Sequence, residues 1–258
     1  MDVVLAEEKD QSSFAAGIFL IDKPVGPTSF SMVRQVRRLL GIKKVGHAGT
    51  LDPFASGLLI ICAGRPATRL IGRFMDGKKI YSAILQLGME TETMDPEGKI
   101  ISTCDVPHLT RAEIEGCLRE FTGRVMQVPP PYSAVKYKGK PLYHYARRGE
   151  SVVKEPREVE IFSLTAGGYD VENHRLEINV TCSRGTYIRV LASDIGKMLG
   201  CGAYLLSLRR LASGAFHVQD SLEGVKLTEP EGFEKLMKFM ISVDEAQVML
   251  DKQQNEVS

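Results

Sequence analysis

The sequence lacks most of the features that place a chain at once. Its longest uninterrupted apolar run, Leu58 to Ala63, falls far short of the roughly 20 residues a membrane-spanning helix needs. The N-terminus, MDVVLAEEKD, is acidic where a secretory signal would be basic. Five cysteines (Cys62, Cys104, Cys117, Cys182, Cys201) are scattered, odd in number and never spaced as CxxC. That argues against a disulfide framework or a structural zinc site and fits a reducing cytoplasm. With 24 Gly and 12 Pro the chain is not collagen-like or of low complexity, and 43% hydrophobic residues argue against disorder. There is no HExxH and no GxSxG, and the five histidines do not cluster. Metal and serine hydrolysis thereby lose their usual signatures.

Net charge is nearly absent too: 33 Lys+Arg against 32 Asp+Glu leave +1, which at face value speaks against a polyanionic partner. The distribution says otherwise. Residues 23–80 hold eleven basic residues against two acids, 124–157 eight against two, and 184–217 five against one. Acidic stretches at 1–22, 81–123, 158–183 and 219–258 cancel them. Such blocks either converge into one basic surface or are the solvated charges of uneven helices and strands. Charge alone leaves both readings open.

The 258 residues suffice for one large or two small domains with a real core. Residues 17–22 predict a buried strand that Lys23-Pro24 ends. Thr28 or Ser29 can cap a helix to about Leu40, with Phe30, Val33, Val36 or Arg37, and Leu40 on its apolar stripe and Gly41 at its exit. Residues 44–56 read as a loop leading into the strand LLIICA, and 66–75 as a helix with Pro66 in its first turn. Strands are expected at 78–88 and 98–104, joined by the acidic turn Asp95-Pro96-Glu97-Gly98. Thr110 to Glu113 form a capping box for a helix to Phe121. With three consecutive prolines, four tyrosines and a run of basic residues, 124–153 reads as a long irregular loop, a kind that is usually functional or disordered. Strands at 157–166 and 174–183, a helix from Thr186 to Leu199, a strand at about 203–211 and a helical tail complete the chain. This irregular alternation predicts an α+β fold, a mixed and mainly antiparallel sheet flanked by helices, rather than a doubly wound parallel sheet.

Three segments carry chemistry. In Gly46-His47-Ala48-Gly49-Thr50-Leu51-Asp52-Pro53 the glycines permit close backbone approach and present His47 and Asp52 beside a core strand. An Asx-turn before Pro53 is the structural alternative for Asp52, and a backbone-bonded loop histidine the alternative for His47. In Ser183-Arg184-Gly185-Thr186-Tyr187-Ile188-Arg189, a helix opened by Thr186 would put Tyr187 and Arg189 in its first turn. An arginine gains nothing from the helix dipole there, so it points to a carboxylate or phosphate partner, or to a surface ion pair. Leu205 to Arg210 (LLSLRR) alternates as a strand ending in two arginines.

The ordered segments KPVGPTS (23–29), GHAGTLDPFASGLL (46–59), KKIYSAILQLG (78–88), SRGTYIRVLASDIG (183–196) and LGCGAYLLSLRRLASGAF (199–216) closely resemble the bacterial tRNA pseudouridine synthase B family. The likeness runs from about residue 17 to about residue 245. It implies a pseudouridine synthase fold with a catalytic domain over 17–217, an inserted RNA-contact loop at about 124–153 and a short helical segment over 218–258. The implied activity is isomerisation of the T-loop uridine at tRNA position 55. That reaction breaks the N1–C1′ bond and rejoins the base through C5 without net oxidation, so no redox cofactor or metal is expected. By resemblance Asp52 is the essential carboxylate, attacking C1′ or taking a ribose proton. Tyr81 would stack on the flipped base and His47 would fill the gap it leaves. Tyr187 and Leu208 would line the pocket, and Arg189 would pair with Asp52, lowering its pKa. Lys136, Lys138, Lys140, Arg147 and Arg148 become candidates for phosphate contact. Lys23 and Pro24 match a structural motif.

The expected partner is the T arm of tRNA, with no membrane and no obligate protein partner, for a monomer in the cytoplasm. The chain ends at Ser258, soon after the segment ISVDEA (241–246), so the PUA-type RNA-binding domain of many members is expected to be missing. Rival readings are an RNA-guided catalytic subunit, a tRNA-binding folding factor with incidental catalysis, and a small-molecule glycosidase. The last usually needs two carboxylates flanking the bond, and only Asp52 stands out.

Overall fold

The computed structural model describes residues 14–130 and 154–255 and, between them, positions 136, 137, 140, 141, 145, 148 and 152. The chain begins with β1 (Gly17–Lys23), α1 (Ser29–Leu40), β2 (Val45–Ala48), β3 (Ser56–Ala63), α2 (Arg65–Arg69), α3 (Ile71–Asp76) and β4 (Lys79–Leu87). It continues through β5 (Met89–Thr91), β6 (Ile100–Thr103), α4 (Arg111–Glu120), β7 (Gly123–Gln127), β8 (Lys136–Tyr137), β9 (Lys140–Pro141), β10 (Arg157–Asp170) and β11 (Arg175–Cys182). Last come α5 (Ile188–Met198), β12 (Ala203–Ser213), β13 (Phe216–His217), β14 (Leu222–Glu223), α6 (Gly232–Lys238), β15 (Met240–Ile241) and α7 (Val243–Asn255).

One large sheet dominates, in the order β14-β1-β3-β12-β4-β11-β10-β7, with β2 beside β3, β13 beside β12 and β15 beside β1. Its pairs are antiparallel except β1 with β14 and β3 with β12, matching the mixed, mainly antiparallel sheet expected. The runs IFLI and LLIICA are apolar throughout because β1 and β3 are covered on both faces. Phe19, Ile21, Leu59 and Ile61 meet α1 and Leu236 of α6, while Ile18, Leu20, Leu58 and Ile60 meet Phe74 of α3, Phe216 and Leu250 of α7. On the other half of the sheet, β4, β11 and β12 pack against Ile114 and Leu118 of α4 and Leu191 and Ile195 of α5. The tail 218–258 holds α6 and α7, and its two-residue strands β14 and β15 join the sheet edge at β1.

Several local expectations are corrected. Phe30 is not on the buried stripe of α1: it is 54% exposed, with Arg34 and Arg37 guanidinium groups 5.9 and 5.5 Å from its ring centre. Met32 takes the core position, because Ser29 is buried at the helix start, donating to the Leu51 carbonyl and accepting from the Leu51 N–H, both at 2.9 Å. The loop expected at 44–56 contains β2, which Gly46 and His47 disguised; it forms because an edge of β3 is open from Ile60 to Ala63. The helix expected at 66–75 is two short helices meeting at Leu70. Strand β6 pairs with β5 rather than β4, since Gly88 (φ 80°) turns the chain out of the main sheet. The irregular stretch expected from 124 starts with a strand, β7, paired with β10 at the sheet edge, and holds the two-residue ladder β8–β9. The helix expected from Thr186 starts at Ile188, with Tyr187 as its N-cap rather than in its first turn.

Candidate active site

The Asp52 loop joins β2 to β3, and buried polar groups fix its backbone from both flanks. Lys23, fully buried, donates its ammonium to the carbonyls of Pro24 (2.9 Å), Pro27 (2.8 Å) and Pro53 (3.3 Å). Burial is the main reason its pKa drops to about 8. Arg210, also buried, donates from Nε to the Leu58 carbonyl at 2.7 Å and from Nη2 to the Gly49 carbonyl at 3.0 Å. Its backbone runs so close to Gly57 (φ 102°) that a Cβ there would lie 2.3 Å from the Arg210 carbonyl oxygen. Only glycine fits. Asp52 itself closes a turn, its carbonyl accepting from the Ala55 N–H at 3.1 Å.

Arg189, in the first turn of α5, bridges two carboxylates. Its Nε lies 3.0 Å from Asp52 Oδ2 and its Nη1 3.3 Å from Asp95 Oδ2, and Nη1 also donates to the Thr93 carbonyl at 2.9 Å. The Arg189 and Asp95 side chains are each 5% exposed, whereas Asp52 keeps 36% of its side chain open. Asp95 is held in turn: its Oδ1 accepts from the Glu97 N–H at 3.0 Å and from the Thr93 hydroxyl, and its own N–H donates to Thr91 Oγ1 at 3.0 Å. Met94 beside it adopts a left-handed φ of 60°. The expected pairing of Arg189 with Asp52 is present, but the expected fall in the Asp52 pKa is not. Burial pushes it up and the nearby Asp95 charge adds to that rise, and together they outweigh Arg189 and Lys23.

Asp52, Tyr81, Tyr187, Arg189, Leu208 and Arg210 line one cavity of about 270 Å³, at the small end of ligand sites. Tyr81 is buried in β4, its hydroxyl pKa raised by burial against the opposing pull of Arg210. Lys79 also reaches this cavity; its buried ammonium donates to the carbonyls of Met75 and Gly77, and burial lowers its pKa to about 8. His47 does not line the cavity. It sits half-buried on β2, where burial and Arg210 lower its pKa and favour the neutral ring. Of the phosphate candidates, Lys138 and Arg147 lie outside the described residues. Lys136 and Lys140 belong to the β8–β9 ladder, and Arg148 is exposed with its guanidinium 5.5 Å from the Tyr145 ring centre. Among the described residues no group of three or more His, Cys, Asp or Glu is placed to hold a metal ion, and no helix is long and apolar enough to cross a membrane.

Reasoning from sequence missed Asp95, Arg210 and Gln127. Asp95 read as a turn residue, and only the two bonds of Arg189 reveal it as a second carboxylate of the site. Arg210 was visible as the end of a strand, with no signal that it turns inward. Gln127, 3% exposed, binds the backbone of Tyr187.

The model of the TruB family pseudouridylate synthase N-terminal domain matches residues 37–188, and that of the tRNA pseudouridylate synthase B C-terminal domain matches residues 189–247. The chain belongs to the TruB family of pseudouridylate synthases. It is 56% identical over 238 residues to tRNA pseudouridine synthase B of Desulfotalea psychrophila, covering 91% of this chain and 97% of that one. The counterpart in Chlamydia trachomatis serovar L2 is 47% identical over 216 residues, covering 83% and 88%. Among solved structures, the Cbf5-Nop10-Gar1 complex contains a chain similar to this one, with a TM-score of 0.68 and 27% identity over 91% of this chain. This chain spans 62% of that one, about three fifths. The family makes this chain an isomerase with the pseudouridine synthase fold.

Proposed function

We propose that this TruB-family synthase converts the T-loop uridine at position 55 of tRNA to pseudouridine, with Asp52 as the reacting carboxylate. The observation that carries the reading is the Asp52–Arg189–Asp95 array at a cavity also lined by Tyr81, Tyr187 and Leu208. The substrate class follows from relatives of 56% and 47% identity that are tRNA pseudouridine synthases B. The target base must leave its stack, which costs a few kcal/mol, and stacking on Tyr81 returns roughly 1–3 kcal/mol of that. His47 then fills the space the base leaves in the RNA loop.

Arg189 engages Asp52 Oδ2, so Oδ1 is the oxygen open to the substrate. The carboxylate acts ionised, either bonding to C1′ as the N1–C1′ bond breaks or removing a ribose proton. The detached uracil, retained in the pocket, turns and bonds through C5 to C1′ as the Asp52–C1′ bond breaks, or as Asp52 returns the ribose proton; the C5 proton leaves to solvent while N1 takes one up. Lys136, Lys138, Lys140, Arg147 and Arg148 serve as phosphate contacts on the T arm. The catalytic domain spans 17–217, and the chain acts as a monomer without metal, redox cofactor or protein partner. Incubating unmodified tRNA transcript with the protein, then mapping pseudouridine, tests the reading. Product at the T-loop uridine is expected, and Asp52→Asn should abolish it while tRNA binding stays nearly intact. No product from the folded wild type would sink the assignment.

A further inference from the structure

Gln127 is the last residue of β7, paired there with Arg157, and its side chain is almost wholly buried. Its amide meets the backbone of Tyr187 at two points. The Tyr187 N–H donates to Oε1 at 2.9 Å, and Nε2 donates to the Tyr187 carbonyl at 3.3 Å. Turned over, the amide would set donor against donor and oxygen against oxygen, so only one orientation satisfies both contacts. Tyr187 is the N-cap of α5 and its side chain supplies no capping bond. Its carbonyl also accepts the first helical bond, from the Leu191 N–H at 3.1 Å. Gln127 therefore grips the point at which the Arg189 helix begins.

The other end of the same turn is tied down independently. The Ser183 N–H donates to the Glu160 carbonyl at 2.8 Å, and Ser183 Oγ accepts from the Glu160 N–H at 2.9 Å. Between these ties lie Arg184, Gly185 and Thr186, and with Tyr187 and Arg189 they form one wall of the cavity. Glu160 belongs to β10 and Gln127 to β7, so the wall hangs from two neighbouring strands of the sheet edge. Gln127 is also where the chain leaves β7 for the segment 128–153.

Resting on the reading of the cavity as a uridine pocket, we propose that Gln127 is a positioning residue. Its amide sets Tyr187 and Arg189 against Asp52 and joins the pocket wall to the strand that feeds the 128–153 segment. A side chain that merely filled space there would need no amide. One that positions the wall needs both its donor and its acceptor.

Two variants separate these roles. Gln127→Met keeps length and apolar bulk but removes both hydrogen bonds. Gln127→Glu keeps an acceptor for the Tyr187 N–H and regains a donor for the carbonyl only when protonated. In the tRNA assay, Gln127→Met should lower kcat about tenfold or more, since small misplacements of reacting groups carry large rate penalties, with KM for tRNA within about twofold. The activity of Gln127→Glu relative to wild type should climb as pH falls from about 8 to about 6, because burial favours the protonated acid. Without RNA, hydrogen exchange of the 183–191 peptide should rise in Gln127→Met while β3 and β4 stay protected.

Unchanged kcat in Gln127→Met, unchanged exchange over 183–191, or a pH-independent ratio for Gln127→Glu would each overturn the proposal. Wild type runs in parallel, so a wild type without product refutes the pocket reading itself. The exchange measurement still decides whether Gln127 holds Tyr187.

Discussion

Arg189 should set the pH at which this enzyme works. Its guanidinium bridges Asp52 at 3.0 Å and Asp95 at 3.3 Å and is almost fully buried. A cation within this distance favours the ionised carboxyl, so Arg189→Met should raise the Asp52 pKa further above its already elevated position. The reacting form is the carboxylate, so the acid limb of the pH–rate profile moves to higher pH. The variant also removes the guanidinium donor from Asp52, from Asp95 Oδ2 and from the Thr93 carbonyl, a loss of about 3–5 kcal/mol for a broken buried pair. Against a total stability of roughly 5–15 kcal/mol the protein remains foldable. Arg189→Lys keeps the charge but cannot span both carboxylates, and should recover stability more than rate. Asp95→Asn supplies the opposite sign: it removes a like charge that raises Asp52, so its acid limb moves to lower pH. Single-turnover pseudouridine formation across pH, with urea unfolding beside it, reads all three variants. Shifts of the same sign in Arg189→Met and Asp95→Asn would refute this electrostatic account.

Three further outcomes are expected. Gly57→Ala forces a Cβ to 2.3 Å from the Arg210 carbonyl oxygen at a φ of 102°, so it should cost more than about 3 kcal/mol or prevent folding; a melting temperature near wild type would contradict the clamp between β3 and β12. Lys23 and Lys79 are each depressed from 10.5 to about 8, so below pH 8 the folded state carries two costly charges that the unfolded chain holds freely. Stability therefore rises between about pH 8 and pH 10.5, and Lys79→Met should reduce that rise; urea unfolding across this window checks it, and a slope unaltered by Lys79→Met would count against it. Met32→Ala should cost about 2–5 kcal/mol because Met32 is 1% exposed. Phe30→Ser should shift stability by under about 1 kcal/mol, and thermal melts of the pair should reveal which residue belongs to the core.

The periodic elements were legible because their signals are local. The Gly41 exit and the Thr110–Glu113 box recur in the structure as read, and of the two caps offered, Thr28 or Ser29, it is Thr28; each needs only residues within one turn. Beta pairing is not local. Val45 to Ala48 became a strand because β3 offered an open edge, and Gly123 to Gln127 because β10 did. Nothing in VGHA or GRVMQ announces either edge. The site divides the same way. Asp52, Tyr81, Tyr187, Arg189 and Leu208 were named through the family resemblance and do meet in one cavity. Asp95 was hidden inside an acidic turn, because its link to Arg189 spans most of a hundred residues.

The direction of the Asp52 pKa was misjudged for a related reason. The sequence allows a partner cation to be inferred but not the burial of the pair, and here burial is the larger influence. The buried polar side chains around the loop make sense in that light. Lys23, Arg210 and Ser29 spend their hydrogen bonds on backbone carbonyls and amides at Pro53, Gly49, Leu58 and Leu51 rather than on Asp52 itself. They fix where the carboxylate sits without neutralising it. Among the described residues the ion pair it makes is with Arg189, through one oxygen. A carboxylate fixed by its backbone, contacted at one oxygen and kept more basic than usual is suited to either bonding to C1′ or taking a proton, because both need a free lone pair in a set direction.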